Sequence, residues 1–176
     1  MESFPILYTE HLLLRKLTPD DIPFLVEYAN DPEVAENVLN MPHPFQEPDA
    51  VFRIRYVVQG FKDGVRFIFA IALYETNQLI GEIAIHVDRL KKTGQLAYWI
   101  AKPHRAKGFA TEAASAVINF GFKQLHLAKV FAECHTHNDA SRKVLEKAGM
   151  TKAGVNGSIL RFESRMPRLD LNDTGQ

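Results

Sequence analysis

Apolar positions along this chain fall in short blocks whose period changes from block to block. Leu12 to Leu17 reads as a first strand. Thr18-Pro19-Asp20-Asp21 then offers a capping residue with proline at the first helical position, so a helix is predicted to run on to Asn30. Asp31-Pro32 repeats the signal and predicts a second helix to about Leu39. Pro42, Pro44 and Pro48 make Asn40 to Pro48 irregular. From Glu47 or Pro48 to Gly60 a helix is predicted, because Val51, Ile54, Tyr56 and Val58 fall roughly on one side. Arg66 to Tyr74 and Gln78 to Val87 read as two strands, with Thr76-Asn77 as the turn of a hairpin.

Gly94 to Ala101 is the next predicted strand. Beyond it, Ala110, Ala113, Ala114, Val117 and Gly121 recur at helical spacing, which marks one face of a helix from Ala110 to Gln124 packing on a sheet. Its small residues permit close approach. Ala128 to His135 reads as a strand, Asn138 as the cap of a helix to Ala148, and Gly149 as its stop. One or two strands are predicted between Met150 and Met166, with Asn156-Gly157 as a two-residue turn. Leu169 to Gln176 is polar and is expected to fray. The order β-α-α-α-β-β-β-α-β-α-β-β is an α+β pattern around one mixed sheet.

The chemistry concentrates at Arg105-Ala106-Lys107-Gly108-Phe109-Ala110-Thr111-Glu112-Ala113, where the strand ending at Ala101 hands over to the helix. The first N–H groups of a helix have no carbonyl partner, and the positive pole of its dipole lies at the same end. Such a terminus binds phosphate. Gly108 removes a Cβ that would hold an anion away, and Arg105 and Lys107 add charge at the rim. Neither a Walker loop nor a Gly-x-Gly-x-x-Gly turn is present, so a nucleotide-containing cofactor of another kind is expected.

Arg105-x-x-Gly108-x-Ala110 resembles the Q/R-x-x-G-x-G/A motif of the GCN5-related N-acetyltransferases (GNAT), which bind the pyrophosphate of acetyl-CoA. A second block, Asn138-x-x-Ser141-x-x-x-Leu145-Glu-Lys-x-Gly149-Met150, is similar to that family's following helix. Thr9-Glu-His-Leu-Leu-Leu-Arg15, with Asp21 six residues on, is similar to the opening of its RimJ/RimL-like branch. The resemblance spans about Thr9 to Gly154 in order and spacing.

The resemblance implies a GNAT-like fold: a central mixed, mostly antiparallel sheet with helices on both faces, and two strands splayed at a bulge. Those strands would be Leu96 to Ala101 and Val130 to His135. The cofactor would be acetyl-CoA, held by Trp99, Ile100, Arg105, Ala106, Lys107, Gly108, Phe109, Ala110, Thr111 and Asn138. Trp99 and Ile100 would act through backbone groups toward the pantetheine arm. Asn138 reads both as a helix cap and as a contact of that arm, since an amide can serve both. Ser141 would lie beside the sulfur as catalytic residue. Many relatives carry a tyrosine acid at the position of Leu145, which has no proton to give. Relatives often have Glu where Gln95 stands, so the general base stays open among Glu82, Glu133, His135 and Glu163. Tyr98 is the better candidate to line the acyl site. The implied activity is acetyl transfer to a primary amine, at a protein N-terminus (a ribosomal protein among them) or on a small amine. A CoA-binding module without catalysis, and an acyltransferase for longer chains with a pocket near Tyr98 and Phe131, remain alternatives.

Composition sets bounds. The length of 176 residues and 46% hydrophobic content suit a single domain over 1–176 with a full core. A formal net charge of zero argues against a nucleic-acid partner. No apolar run suits a membrane span or a signal peptide, and with one cysteine no intrachain disulfide forms, so a cytoplasmic monomer or homodimer is expected. Cys134 reads as a small buried hydrophobe. His135-x-His137 lacks a second ligand cluster, so no metal is expected.

Overall fold

The computed structural model describes residues 3–38 and 41–166. In chain order the elements are β1 (Leu7–Tyr8), β2 (Leu12–Arg15), α1 (Ile22–Tyr28), α2 (Pro32–Asn37), α3 (Glu47–Asp63), β3 (Arg66–Leu73), β4 (Leu79–Asp88), β5 (Thr93–Ile100), α4 (Phe109–Lys123), β6 (Lys129–His135), α5 (Asp139–Lys147), β7 (Thr151–Asn156) and β8 (Ile159–Arg165). The strands form one sheet in the order β1-β2-β3-β4-β5-β6-β8-β7. Every neighbouring pair is antiparallel except β5–β6.

Helices cover both faces, which is why β3 is apolar nearly throughout. Phe67, Phe69 and Ile71 point to the layer that holds Ala113, Val117 and Phe120 of α4 and Leu145 of α5. Ile68 and Ala70 point to the opposite layer, with Leu25 of α1, Val34 of α2 and Ala50 and Val57 of α3. A strand buried on both sides shows a continuous apolar run rather than an alternation. Phe120 meets Phe67 and Phe69 edge-on at 5.4 and 5.5 Å. Each fully buried aromatic of this kind contributes about 1.5–3 kcal/mol of burial free energy.

The Arg15…Asp21 pair of the sequence motif is a structural clamp. Arg15 Nη1 and Nη2 each donate to an Asp21 carboxylate oxygen at 2.8 Å, and Thr18 N donates to the same carboxylate at 2.8 Å. The fork ties β2 to the turn that starts α1.

Three boundaries differ from expectation. α3 runs through Gly60 to Asp63 and stops at Gly64, in the left-handed region at φ 63°. Gly60 is there for closeness, since a Cβ would meet the Arg66 side chain at 2.5–2.8 Å. The β7–β8 turn is Gly157-Ser158, because Asn156 still pairs with Ile159. β1 has only two residues and no period by which to read it. The predicted fraying from Leu169 to Gln176 falls outside the described residues.

The functional opening comes from the one parallel pair. β5 and β6 pair only from Thr93↔Lys129 to Leu96↔Ala132. Past that point Ala97–Ile100 stay on β4, and Glu133–His135 stay on β8, so the facing edges part. The β4–β5 register is continuous, so the strands part without the expected bulge in that ladder.

Candidate active site

A cavity of about 520 Å³ opens where β5 and β6 part, walled by α2, α4 and α5. Of the eleven residues singled out from sequence, Trp99, Ile100, Arg105, Ala106, Gly108, Phe109, Ala110, Thr111, Asn138 and Ser141 line it, and Lys107 does not.

The floor is the start of α4. Gly108 is the cap residue at φ 85°, and no side chain caps the helix. Ala106 is also left-handed, at φ 59°. The first intrahelical bond runs from Glu112 N to Gly108 O at 3.0 Å, so the N–H groups of Phe109, Ala110 and Thr111 precede any helix partner. Glu112 could have competed as an internal anion, but it turns to β2. Its carboxylate accepts from His11 N at 2.8 Å and sits 3.0 Å from His11 Nδ1. A Cβ on Gly108 would meet nothing within 4 Å, so the glycine borders open space. Unfilled donors, the helix dipole and this clearance together fit a pyrophosphate.

The expected rim charges behave differently. Arg105 is a strut: its Nε donates to Ile100 O at 2.9 Å, Nη1 to Glu33 at 2.7 Å and Nη2 to Asp31 at 3.1 Å. The nearby carboxylates of α2 claim the guanidinium, which thereby fixes α2 as a cavity wall. Lys107 points into solvent, off the lining. Lys143 and Lys147 of α5 line the cavity instead. Sequence reading missed them, although Ala140, Lys143, Val144 and Lys147 recur at helical spacing after Asn138. Glu33, Val34 and Asn37 of α2 carried no local signal, because only the tertiary strut brings them there.

On the α5 side, Asn138 Oδ1 accepts from Ser141 N at 2.9 Å. The cap role is therefore in use, and Asn138 also lines the cavity. Tyr98 Oη donates to the Ser141 carbonyl at 3.4 Å, and burial pushes the Tyr98 phenol up to about 12. Leu145 is buried in the core at 1% exposure.

The β5 edge is pinned from behind. Trp99 Nε1 donates to Glu82 at 2.9 Å, and Arg53 Nη2 donates to the same carboxylate at 2.9 Å. Glu82 and Arg53 are 1% and 4% exposed, so this is a charged pair inside the core. Gly81 is required beside it, since a Cβ there would run into Trp99 O.

None of the candidate bases lines the cavity. Glu82 is enclosed with Arg53 and Trp99. Gln95 pairs with Phe131 in the closed part of β5–β6, so Phe131 does not border the acyl slot. Instead Arg161 stacks over its ring at 3.8 Å. Glu133 pairs with Arg161 at 2.9 Å. Glu163 is held below the usual carboxylate range, chiefly by Lys129 at 3.0 Å and then by Arg161, against its burial. His135 stacks on His137 at 5.2 Å. Cys134 is buried, and its burial pushes the thiol up. Among the described residues no three His, Cys, Asp or Glu side chains converge as a metal site, and no helix is long and apolar enough to cross a membrane.

The comparisons agree with this geometry. The GNAT acetyltransferase domain model matches residues 11–151. An uncharacterized N-acetyltransferase of Bacillus licheniformis is 32% identical over 165 residues, covering 91% of this chain and 90% of the relative. The ribosomal-protein-serine acetyltransferase of Escherichia coli is 25% identical over 83 residues, 47% of this chain and 46% of that protein. The structure of Mycobacterium smegmatis RimJ, solved with a CoA disulfide, superposes with a TM-score of 0.81 at 18% identity, covering 95% of this chain and 90% of that one. The chain belongs to the GNAT family and is an acetyl-CoA-dependent N-acetyltransferase.

Proposed function

We propose that this single domain acetylates a primary amine by direct transfer in a ternary complex, the acceptor being a protein N-terminus or a small amine. The observation that carries the reading is the slot between β5 and β6, which runs into the uncapped start of α4. A pantetheine arm would pair with the free edge at Trp99 and Ile100, and its pyrophosphate would sit on the N–H groups of Gly108 to Thr111. Asn138 would meet the arm, and Lys143 and Lys147 would face the phosphates. When bound, acetyl-CoA supplies an activated acyl carbon. The protein supplies position, which by itself removes several kcal/mol of barrier. Ser141 Oγ would donate a hydrogen bond to the leaving sulfur. The acceptor amine would lose its proton to solvent, since none of Glu82, Glu133, His135 and Glu163 lines the slot. A ribosomal protein N-terminus is the favoured protein acceptor, because a relative is a ribosomal-protein-serine acetyltransferase.

The test is thiol release from acetyl-CoA with polyamines, amino acids, aminoglycosides and short peptides bearing free N-termini. We expect release with one of these classes, and peptides as that class for the ribosomal reading. Tight CoA binding in calorimetry without release from any class would overturn the acceptor assignment. Faster release from a longer acyl-CoA would overturn the acetyl preference.

A further inference from the structure

We propose that Tyr98 is the group that protonates the coenzyme A sulfur as it leaves. The inference rests on the acetyl-transfer reading above. In that transfer the amine nitrogen forms a C–N bond to the acetyl carbon, the C–S bond breaks, and its electron pair departs on sulfur. The nitrogen sheds one proton to solvent, and the sulfur must gain one.

Tyr98 reaches the slot from the sheet. It lies on the stretch of β5 that has left β6, and its ring lines the 520 Å³ cavity. Cys134, on β6 across the gap, is near enough to act on the phenol's charge. The phenol is thus where the strands have parted, packed against the core layer of α4 and α5 and open to the cavity. Its bond to the Ser141 carbonyl, at 3.4 Å, is long for an O–H donor, so the proton is lightly held and free to turn toward a sulfur beside Ser141.

The other donors are less suited. A serine hydroxyl is a far weaker acid than a phenol, so Ser141 can steady the sulfur but is poorly matched to give up its proton. Lys143 and Lys147 stand about 160° and 120° around the α5 axis from Ser141, at 100° per residue. Leu145 has no proton to give. Burial that keeps the phenol protonated also pushes up the thiol of Cys134 in the same surroundings. A coenzyme thiol there meets the same penalty, so donor and acceptor rise together. The phenolate left behind regains a proton from solvent, which balances the proton shed by the amine.

Coenzyme A itself is the probe. The thiol of bound CoA is titrated by its thiolate ultraviolet absorbance, with desulfo-CoA as the blank, in the wild type and in Tyr98→Phe. A hydrogen bond from Tyr98 favours the thiolate, so the bound thiol should titrate at higher pH in Y98F. In the same variant kcat for thiol release should fall by about 100-fold, with CoA affinity within about twofold and the melting temperature nearly unchanged. An unshifted thiol titration, or a kcat within about twofold of wild type, overturns the assignment to Tyr98 while leaving the acetyl-transfer reading intact. Failure of the wild type to bind CoA would overturn that reading, and this one with it. If Y98F does not fold, 3-fluorotyrosine at position 98 decides. As the stronger acid it must lower the bound thiol's titration, and no change overturns the proposal.

Discussion

At the scale of single residues, the cofactor floor depends on the missing side chain of Gly108. Its φ of 85° costs an L-residue about 1–2 kcal/mol, and a Cβ there would enter the open space that the phosphate needs. Gly108→Val is expected to weaken CoA binding more than about 100-fold, roughly 2.7 kcal/mol, as read by calorimetry. Gly108→Ala, with one methyl group in the same place, should fall between. Equal affinity in the valine variant would move the pyrophosphate elsewhere. Ser141→Ala is expected to lower kcat by about tenfold and leave CoA affinity within about twofold, because the hydroxyl would act on the sulfur only as it leaves. A variant with wild-type kcat would reduce Ser141 to a first-turn helix residue whose N–H is capped by Asn138.

Elements are held in place by polar ties at long sequence distance. The Arg53–Glu82 pair joins α3 to β4, and Trp99 attaches β5 to the same carboxylate. Removing one member of a buried pair takes the counter-charge from the other, which costs about 3–5 kcal/mol. Glu82→Ala should therefore lower the melting temperature by roughly 10 °C in a chain of this size, while Trp99→Phe, losing one hydrogen bond to a carboxylate, should cost about 1.5–3 kcal/mol. Scanning calorimetry of the two variants separates these costs. A second tie links β2 to α4 through His11 and Glu112. His11 is held above its ordinary value, first by the hydrogen bond its ring donates to Glu112. Burial alone would raise Glu112, but bonds from Thr9 and His11 bring it below the usual range. The charged bond is thus fully present between the ordinary carboxylate and imidazole values, about pH 4.5 to 6.5. It fades as pH falls through the lowered value of Glu112, and as pH rises through the raised value of His11. Urea unfolding should show Glu112→Gln losing more stability at pH 5.5 than at pH 8. Such ties also mark what was legible in the sequence. α4 and α5 were readable because their apolar or small residues repeat every three to four positions beside a cap. The phosphate floor was readable because one local segment, Arg105 to Glu112, builds it. The strut from Arg105 to Asp31 and Glu33 spans more than 70 positions and leaves no local pattern. The core carboxylate Glu82 read as a candidate base for the same reason, since its partner on α3 lies 29 positions away.

For the whole molecule, pH acts on solubility, stability and chemistry at once. With a formal net charge of zero at pH 7, the protein has little colloidal repulsion there, and its solubility should pass through a minimum near neutrality. Moving to acid restores charge but weakens the fold through His86. This imidazole faces Arg66 across the β3–β4 register and Gln95 across β4–β5. Burial, followed by the charges of Arg66 and Arg53, holds it below its ordinary value. The unfolded chain binds a proton at this site near pH 6.5 and the folded chain resists it, so the stability present above that value drains away as pH falls through the lowered one. Urea unfolding at pH 7.5 and 5.5 should show wild type losing more stability on acidification than His86→Gln. A variant with the same loss would assign the acid sensitivity to other groups. Moving to alkali restores charge without this penalty, and it also delivers the acceptor amine in the neutral form that can attack. Soluble, folded and reactive conditions therefore coincide on the alkaline side, and thiol release with a saturating amine should rise from pH 7 to pH 8.5. A rate independent of pH over that range would mean that a protein group, rather than solvent, removes the amine proton.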